Sequence, residues 1–159
     1  MKMKTTFAAA AALLLTATPA LANWGTTRWG MTADEVIAAV PGAVATAAEG
    51  GTDVRGMHQL ATAPYQDGDV AMTATFLFDP DGKGLLFVGL TPRDFSQCEA
   101  YKTRLVARYG KGKPTDRAVG GLSMGKIDWV DAAGDRLMFS FIRGADGGYS
   151  ICKFITEKP

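Results

Sequence analysis

Apolar and polar positions follow different spacings along this chain, and each spacing predicts a different kind of segment. At the front, Lys2 and Lys4 precede an uninterrupted apolar run from Phe7 to Leu15, followed by Ala20-Leu21-Ala22. A basic start, a short apolar stretch and a small-x-small end are the parts of a secretory signal peptide spanning residues 1–22. The run is too short to cross a bilayer, which takes about 20 apolar residues. Helical spacing begins after Met31. Thr32-Ala33-Asp34-Glu35 reads as a capping box, Val36, Ile37 and Val40 share one side, and Pro41-Gly42 stops the helix.

The small and alanine-rich stretch from Gly42 to Thr52 predicts a loop, and from Val54 onward the spacing changes to alternation. Val70, Met72, Ala74, Phe76 and Phe78 point one way while Ala71, Thr73 and Thr75 point the other, which predicts a half-buried strand. Turn residues flank it at Gln66–Asp69 and Asp79–Gly84, and the apolar run Leu85–Leu90 follows, so a three-stranded meander is expected. Helical spacing returns at about 95–109, opened at Thr91-Pro92 or by a capping box Ser96-x-x-Glu99. There Cys98, Tyr101, Leu105 and Tyr109 form a stripe before the stop at Gly110. Beyond Pro114 come three more strand patterns: Ile127 with Trp129, then Leu137, Phe139 and Phe141, then Tyr149 to Ile155. The chain past the leader, residues 23–159, reads as one α+β domain. It comprises two helix-plus-β-meander units with helices packed on antiparallel sheet, an internal repeat dividing at about 23–90 and 91–159.

The segment Trp29-Gly30-Met31-Thr32-x-x-Glu35-Val36, a helix closed by Pro41-Gly42, and a following meander resemble the helix opening of the BamE/SmpA type of envelope module. The tandem arrangement is similar to the β-lactamase inhibitory protein architecture. The resemblance covers about a dozen residues and implies a small envelope domain acting by protein contact. It transfers no catalytic residues. Where outer-membrane members of that family carry an acylated cysteine, this chain has Asn23, so no lipid or transmembrane anchor is expected.

Composition narrows the function classes. Of 17 basic residues Lys2 and Lys4 belong to the leader, leaving 15 against 16 acidic ones, a net charge near −1. No global positive field exists to displace counterions from nucleic acid, so that partner class is not expected. Cys98 and Cys152 are the only cysteines. In an oxidising compartment, periplasmic or secreted, they predict one disulfide; the alternative, a reactive thiol, needs a basic neighbour to lower its pKa. Two cysteines and one histidine cannot close a zinc shell, and Asp79-x-Asp81-x-Lys83-Gly84 puts a cation and then Leu90 where a calcium loop needs oxygens. No metal and no cofactor are expected.

Candidate chemistry is sparse. His58, the only histidine, shares strand parity with Leu60 and reads as a half-buried strand residue with a satisfied hydrogen bond. Its functional alternatives are a pH-sensitive or ligand-contacting group, or the base of a small hydrolase with a carboxylate such as Asp69. No nucleophile elbow accompanies it. Lys102, Arg104, Arg108, Lys111, Lys113 and Arg117 crowd the end of the second helix. They read as a solvated face, with Arg104, Arg108, Lys111 and Lys113 also forming a candidate patch for an anionic partner. Trp24 and Trp29 read as anchors of the N-terminal segment on the core, with partner contact as the competing role. The reading is an exported, non-catalytic binding or interaction module whose partner is another envelope or secreted protein. The alternatives are an inhibitor of a secreted enzyme and the His58 hydrolase.

Overall fold

The capping box that the sequence predicts is the first regular feature of the structure, a computed structural model describing residues 24–46 and 56–159. Glu35 N donates to Thr32 Oγ1 at 3.3 Å and Thr32 N donates to Glu35 Oε2 at 2.8 Å, which starts helix α1 (Ala33–Ala39). Val36 is fully buried beneath it. The predicted signal peptide and Val54 lie outside the described residues.

Strand β1 (Val44–Ala45) follows, then β2 (His58–Asp67), β3 (Val70–Phe78) and β4 (Leu85–Pro92). β3 has the predicted alternation: Val70, Met72, Ala74, Phe76 and Phe78 are buried, and the threonines between them are half-buried. A single 3-10 turn, Phe95–Gln97, leads into α2 (Cys98–Tyr109). Its start differs from the expected Ser96 box. Asp94 accepts from Ser96 N at 2.9 Å and caps the 3-10 turn, while Glu99 turns outward to accept from Lys102 and Tyr149. Gly110 ends α2 at a positive φ of 84°, as its lack of a Cβ allows. Strands β5 (Lys113–Val119), β6 (Leu122–Val130), β7 (Arg136–Arg143) and β8 (Tyr149–Glu157) complete the order.

The expected architecture of two helix-plus-β-meander units, an α+β repeat, is not what forms. Among the described residues all eight strands join one antiparallel sheet in the order β1-β2-β3-β4-β8-β7-β6-β5, and the α-helices are two short elements of 7 and 12 residues. The junction is the pairing of β4 with β8, from Phe87 opposite Glu157 to Leu90 opposite Phe154. Its cause is physical. An apolar strand such as β4 left with a bare edge would strand its backbone donors and acceptors, and β8 satisfies them.

One face of this sheet holds the main core, and a smaller buried cluster of Met57, Leu77 and Phe87 sits on the opposite face of β3 and β4. Phe76, Phe78, Met72, Leu137 and Phe139 are 2% exposed or less, and Tyr101 from α2 meets Phe139 and Phe154 edge-on at 6.2 and 6.4 Å. Burial of each such side chain contributes roughly 1.5–3 kcal/mol. Cys98 at the start of α2 and Cys152 in β8 form a disulfide, both sulfur-bearing residues being fully buried.

Candidate binding face

The other face of the sheet carries the functional candidates. Side chains of alternate parity on β5–β8 point away from the core, and all are half-buried or exposed. Two adjoining hollows lie there and share Lys126. The first, about 330 Å³, is ringed by charge: Lys126 pairs with Asp128 at 2.8 Å, and Arg136 stands 3.8 Å from Glu157. The second, about 610 Å³, has an apolar floor. Met124 on β6 is opposite Ile142 on β7, which is opposite Ile151 on β8, so three aliphatic side chains make a ladder across three strands. Arg117, Lys126 and Lys153 border that ladder.

Two glycines shape this region. Phe141, on the core face, places its ring where a Cβ on Gly125 would lie, and the stem of Lys153 lies where a Cβ on Gly89 would lie. A side chain at either position would have to displace its neighbour. Exposed aliphatic surface continues to the tip of the β5–β6 hairpin, where Val119 is 51% and Leu122 43% exposed, beside Ile151 at 41%. A contiguous apolar strip rimmed by charge is the usual character of a contact surface.

Of the residues around these hollows the sequence marked for function only Lys113 and Arg117, as members of the basic run; the aliphatic ladder of Met124, Ile142 and Ile151 was not singled out. The signal that would have found them is the outward parity of β7 and β8. Met138 and Ile142 alternate with the inward Leu137, Phe139 and Phe141, whereas a simply solvated outer face would be polar throughout.

The basic run divides. Arg104 reaches the β2–β3 turn, donating to the carbonyl of Asp67 and to the carboxylate of Asp69, and Arg108 stands 3.3 Å from the carboxylate of Asp67. These two arginines tie α2 to the first hairpin. Lys111 and Lys113, with Arg117, are exposed and carry no ion pair among the described residues. Both tryptophans meet the fold. Trp24 is 8% exposed against Tyr65 and Phe76, with ring centroids 5.1 and 5.2 Å away, and Trp29 is half-buried, donating from Nε1 to Asp135 at 2.9 Å.

His58 opens β2 with Nε2 3.0 Å from the carbonyl of Pro80. Asp69 sits in the turn at the other end of the same hairpin, roughly 30 Å of strand away. The His58–Asp69 pair that a hydrolase would need does not come together. Among the described residues no group of three or more His, Cys, Asp or Glu is placed to hold a metal ion. Asp79 instead accepts from Lys83 N at 2.8 Å and closes a hairpin turn. No helix of the described residues is long and apolar enough to cross a membrane. Comparison with protein-family models, curated proteins and solved structures found no match to the chain.

The carboxylates that hold α2 in place make stability acid-sensitive. The hydrogen bond from Arg104 holds the Asp69 carboxyl below its ordinary range, Ser96 does the same for Asp94, and Lys102 followed by Tyr149 does so for Glu99. Depressed folded-state values mean that their stabilisation is fully present above the unfolded carboxylate pKa and disappears as pH falls through the folded values. The urea midpoint should therefore hold from pH 7 to ~5 and decline below that. In Arg104→Ala the decline should be shallower, because Asp69 loses the cause of its shift. An identical acid limb in the variant would show that Asp69 draws nothing from Arg104.

Proposed function

We propose that this protein is an exported, non-catalytic binding module that holds another envelope or secreted protein against the outer face of β5–β8. The observation that carries the reading is the trough itself, an aliphatic ladder of Met124, Ile142 and Ile151 bordered by Arg117, Lys126 and Lys153. Such a surface suits a partner that presents an apolar side chain among acidic ones, since the apolar contact supplies affinity and the charges supply orientation. The leader-like residues 1–22 and the buried disulfide support a periplasmic or secreted location. An inhibitor of a secreted enzyme is the same reading with the enzyme as partner.

A photo-crosslinking residue placed at Ile151 should capture a protein from native envelope extract. The same residue at the exposed Ala107 on α2 should not, and Ile142→Asp should abolish the capture. Equal capture from both positions, or capture indifferent to Ile142→Asp, would remove the outer face from consideration.

A further inference from the structure

The strand at the end of the sheet offers a second surface, its free backbone edge, which adjoins the trough and shares Arg117 with its rim. β5 pairs with β6 alone, stands last in the strand order, and all seven of its residues are exposed. Neither helix reaches over it, so it is bare along one edge and on both faces.

The turn fixes which backbone groups point outward. Val119 and Leu122 face each other across Gly120-Gly121, whose φ angles of 56° and 81° are those of a type I′ turn. In such a hairpin the closing pair exchanges both hydrogen bonds, and antiparallel pairs alternate from there. Val119, Arg117, Thr115 and Lys113 therefore bond to β6. Pro114, Asp116 and Ala118 turn their backbone groups to the free edge. Pro114 occupies an outward position, where a missing N–H forfeits no ladder bond. The edge presents two N–H groups, at Asp116 and Ala118, and carbonyls at Pro114, Asp116 and Ala118.

A second copy of the chain fits this edge badly. Symmetric antiparallel pairing must set outward residues opposite outward residues, which leaves three central registers. Centred on Asp116 it opposes two carboxylates; centred on Arg117 it opposes two guanidinium groups; centred on Thr115 it opposes Lys113 to Arg117 twice. Each register sets like charges face to face, which destabilises the pairing.

An acidic strand fits well. Lys113 and Arg117 lie on one face of β5, flanking Thr115, and neither carries an ion pair among the described residues. On the opposite face Pro114 and Ala118 are small, and Asp116 is already engaged by Ser123 at 2.7 Å and Arg143 at 3.6 Å. We infer that β5 receives an extended segment of a partner protein as a ninth strand, one with acidic side chains at alternate positions and uncharged residues between them. Backbone pairing supplies the affinity and the alternate acids facing Lys113 and Arg117 supply the selectivity. This goes beyond the reading above, since it requires strand addition at an edge and no contact with the Met124–Ile142–Ile151 ladder.

The probe is a blocked octapeptide of alternating glutamate and valine, titrated into the full chain by calorimetry. It should bind, and an alternating lysine–valine peptide should not. Methylating the backbone nitrogens that face β5, or substituting Ala118→Pro in the protein, removes edge hydrogen bonds and should weaken binding about tenfold. Lys113→Glu with Arg117→Glu should reverse the preference to the lysine peptide, and Ile142→Asp should change nothing. Absence of binding at millimolar peptide would overturn the inference. So would equal binding of the methylated peptide, which requires no protein variant, or loss of binding on Ile142→Asp with none on Ala118→Pro, which would assign the peptide to the trough.

Discussion

Replacing Cys98 and Cys152 together by alanine is expected to lower stability by about 4 kcal/mol in the chain-entropy account of cross-links. The two residues are 54 apart in sequence, so the bond closes a long loop and removes many conformations from the unfolded chain. It also pins the first turn of α2 to β8. For a chain of this size the loss corresponds to a fall of roughly 10–20 °C in Tm. Urea titration with and without a reducing agent checks it: the reductant should bring the native protein to the level of the double variant and leave the variant unaffected. A loss below about 1 kcal/mol would mean that the unfolded chain is already held compact without the bond.

Phe139→Ala should cost about 3–5 kcal/mol, the cost of removing a fully buried aromatic and leaving its cavity. Phe139 is 0% exposed at the centre of β7, between Ile127 on β6 and Phe154 on β8, with the rings of Tyr101 and Phe141 6.2 and 5.9 Å away. These neighbours are fixed on β6, β8, α2 and β7 itself, so little can close the gap. The matched control is Ile151→Ala on the outer face of β8, expected within about 0.5 kcal/mol of the native protein. Urea midpoints for the two variants measure which face of the sheet is core. Equal costs would mean that the outer face is covered.

Local pattern carried much of the secondary structure. Thr32 and Glu35 gave α1 because a capping box is complete within four residues, and the stripe Cys98, Tyr101, Leu105 gave α2 because its spacing needs no distant partner. β3 was legible because from Val70 to Phe76 one of its faces is buried and the other only half-buried. β5 was not, since all seven of its residues are exposed and no apolar spacing marks it. β1, two exposed residues inside an alanine-rich stretch, left no signal either.

The architecture failed where it depended on a pairing between distant residues. Nothing in Leu85–Pro92 says that its free side meets Tyr149–Glu157, and without that pairing the chain reads as two repeats. The fate of Arg104 and Arg108 was hidden for the same reason: Asp67 and Asp69 lie 35 or more residues earlier and reach the helix only through the folded hairpin. The trough is hidden because the strong inward alternation of Leu137, Phe139 and Phe141 masks the weaker apolar outer parity of Met138 and Ile142 on the same strand.

The pairing of β4 with β8 also sets an order of events. Ribosomes make chains from the N-terminus, and the strand that occupies the middle of the sheet is the last of those described to be synthesised. Until residues 149–157 arrive, β4 and β7 wait with bare flanks and Cys98 has no thiol to join. Closure of the sheet is thus a late, single step, with the same short segment mending the sheet and delivering the second sulfur.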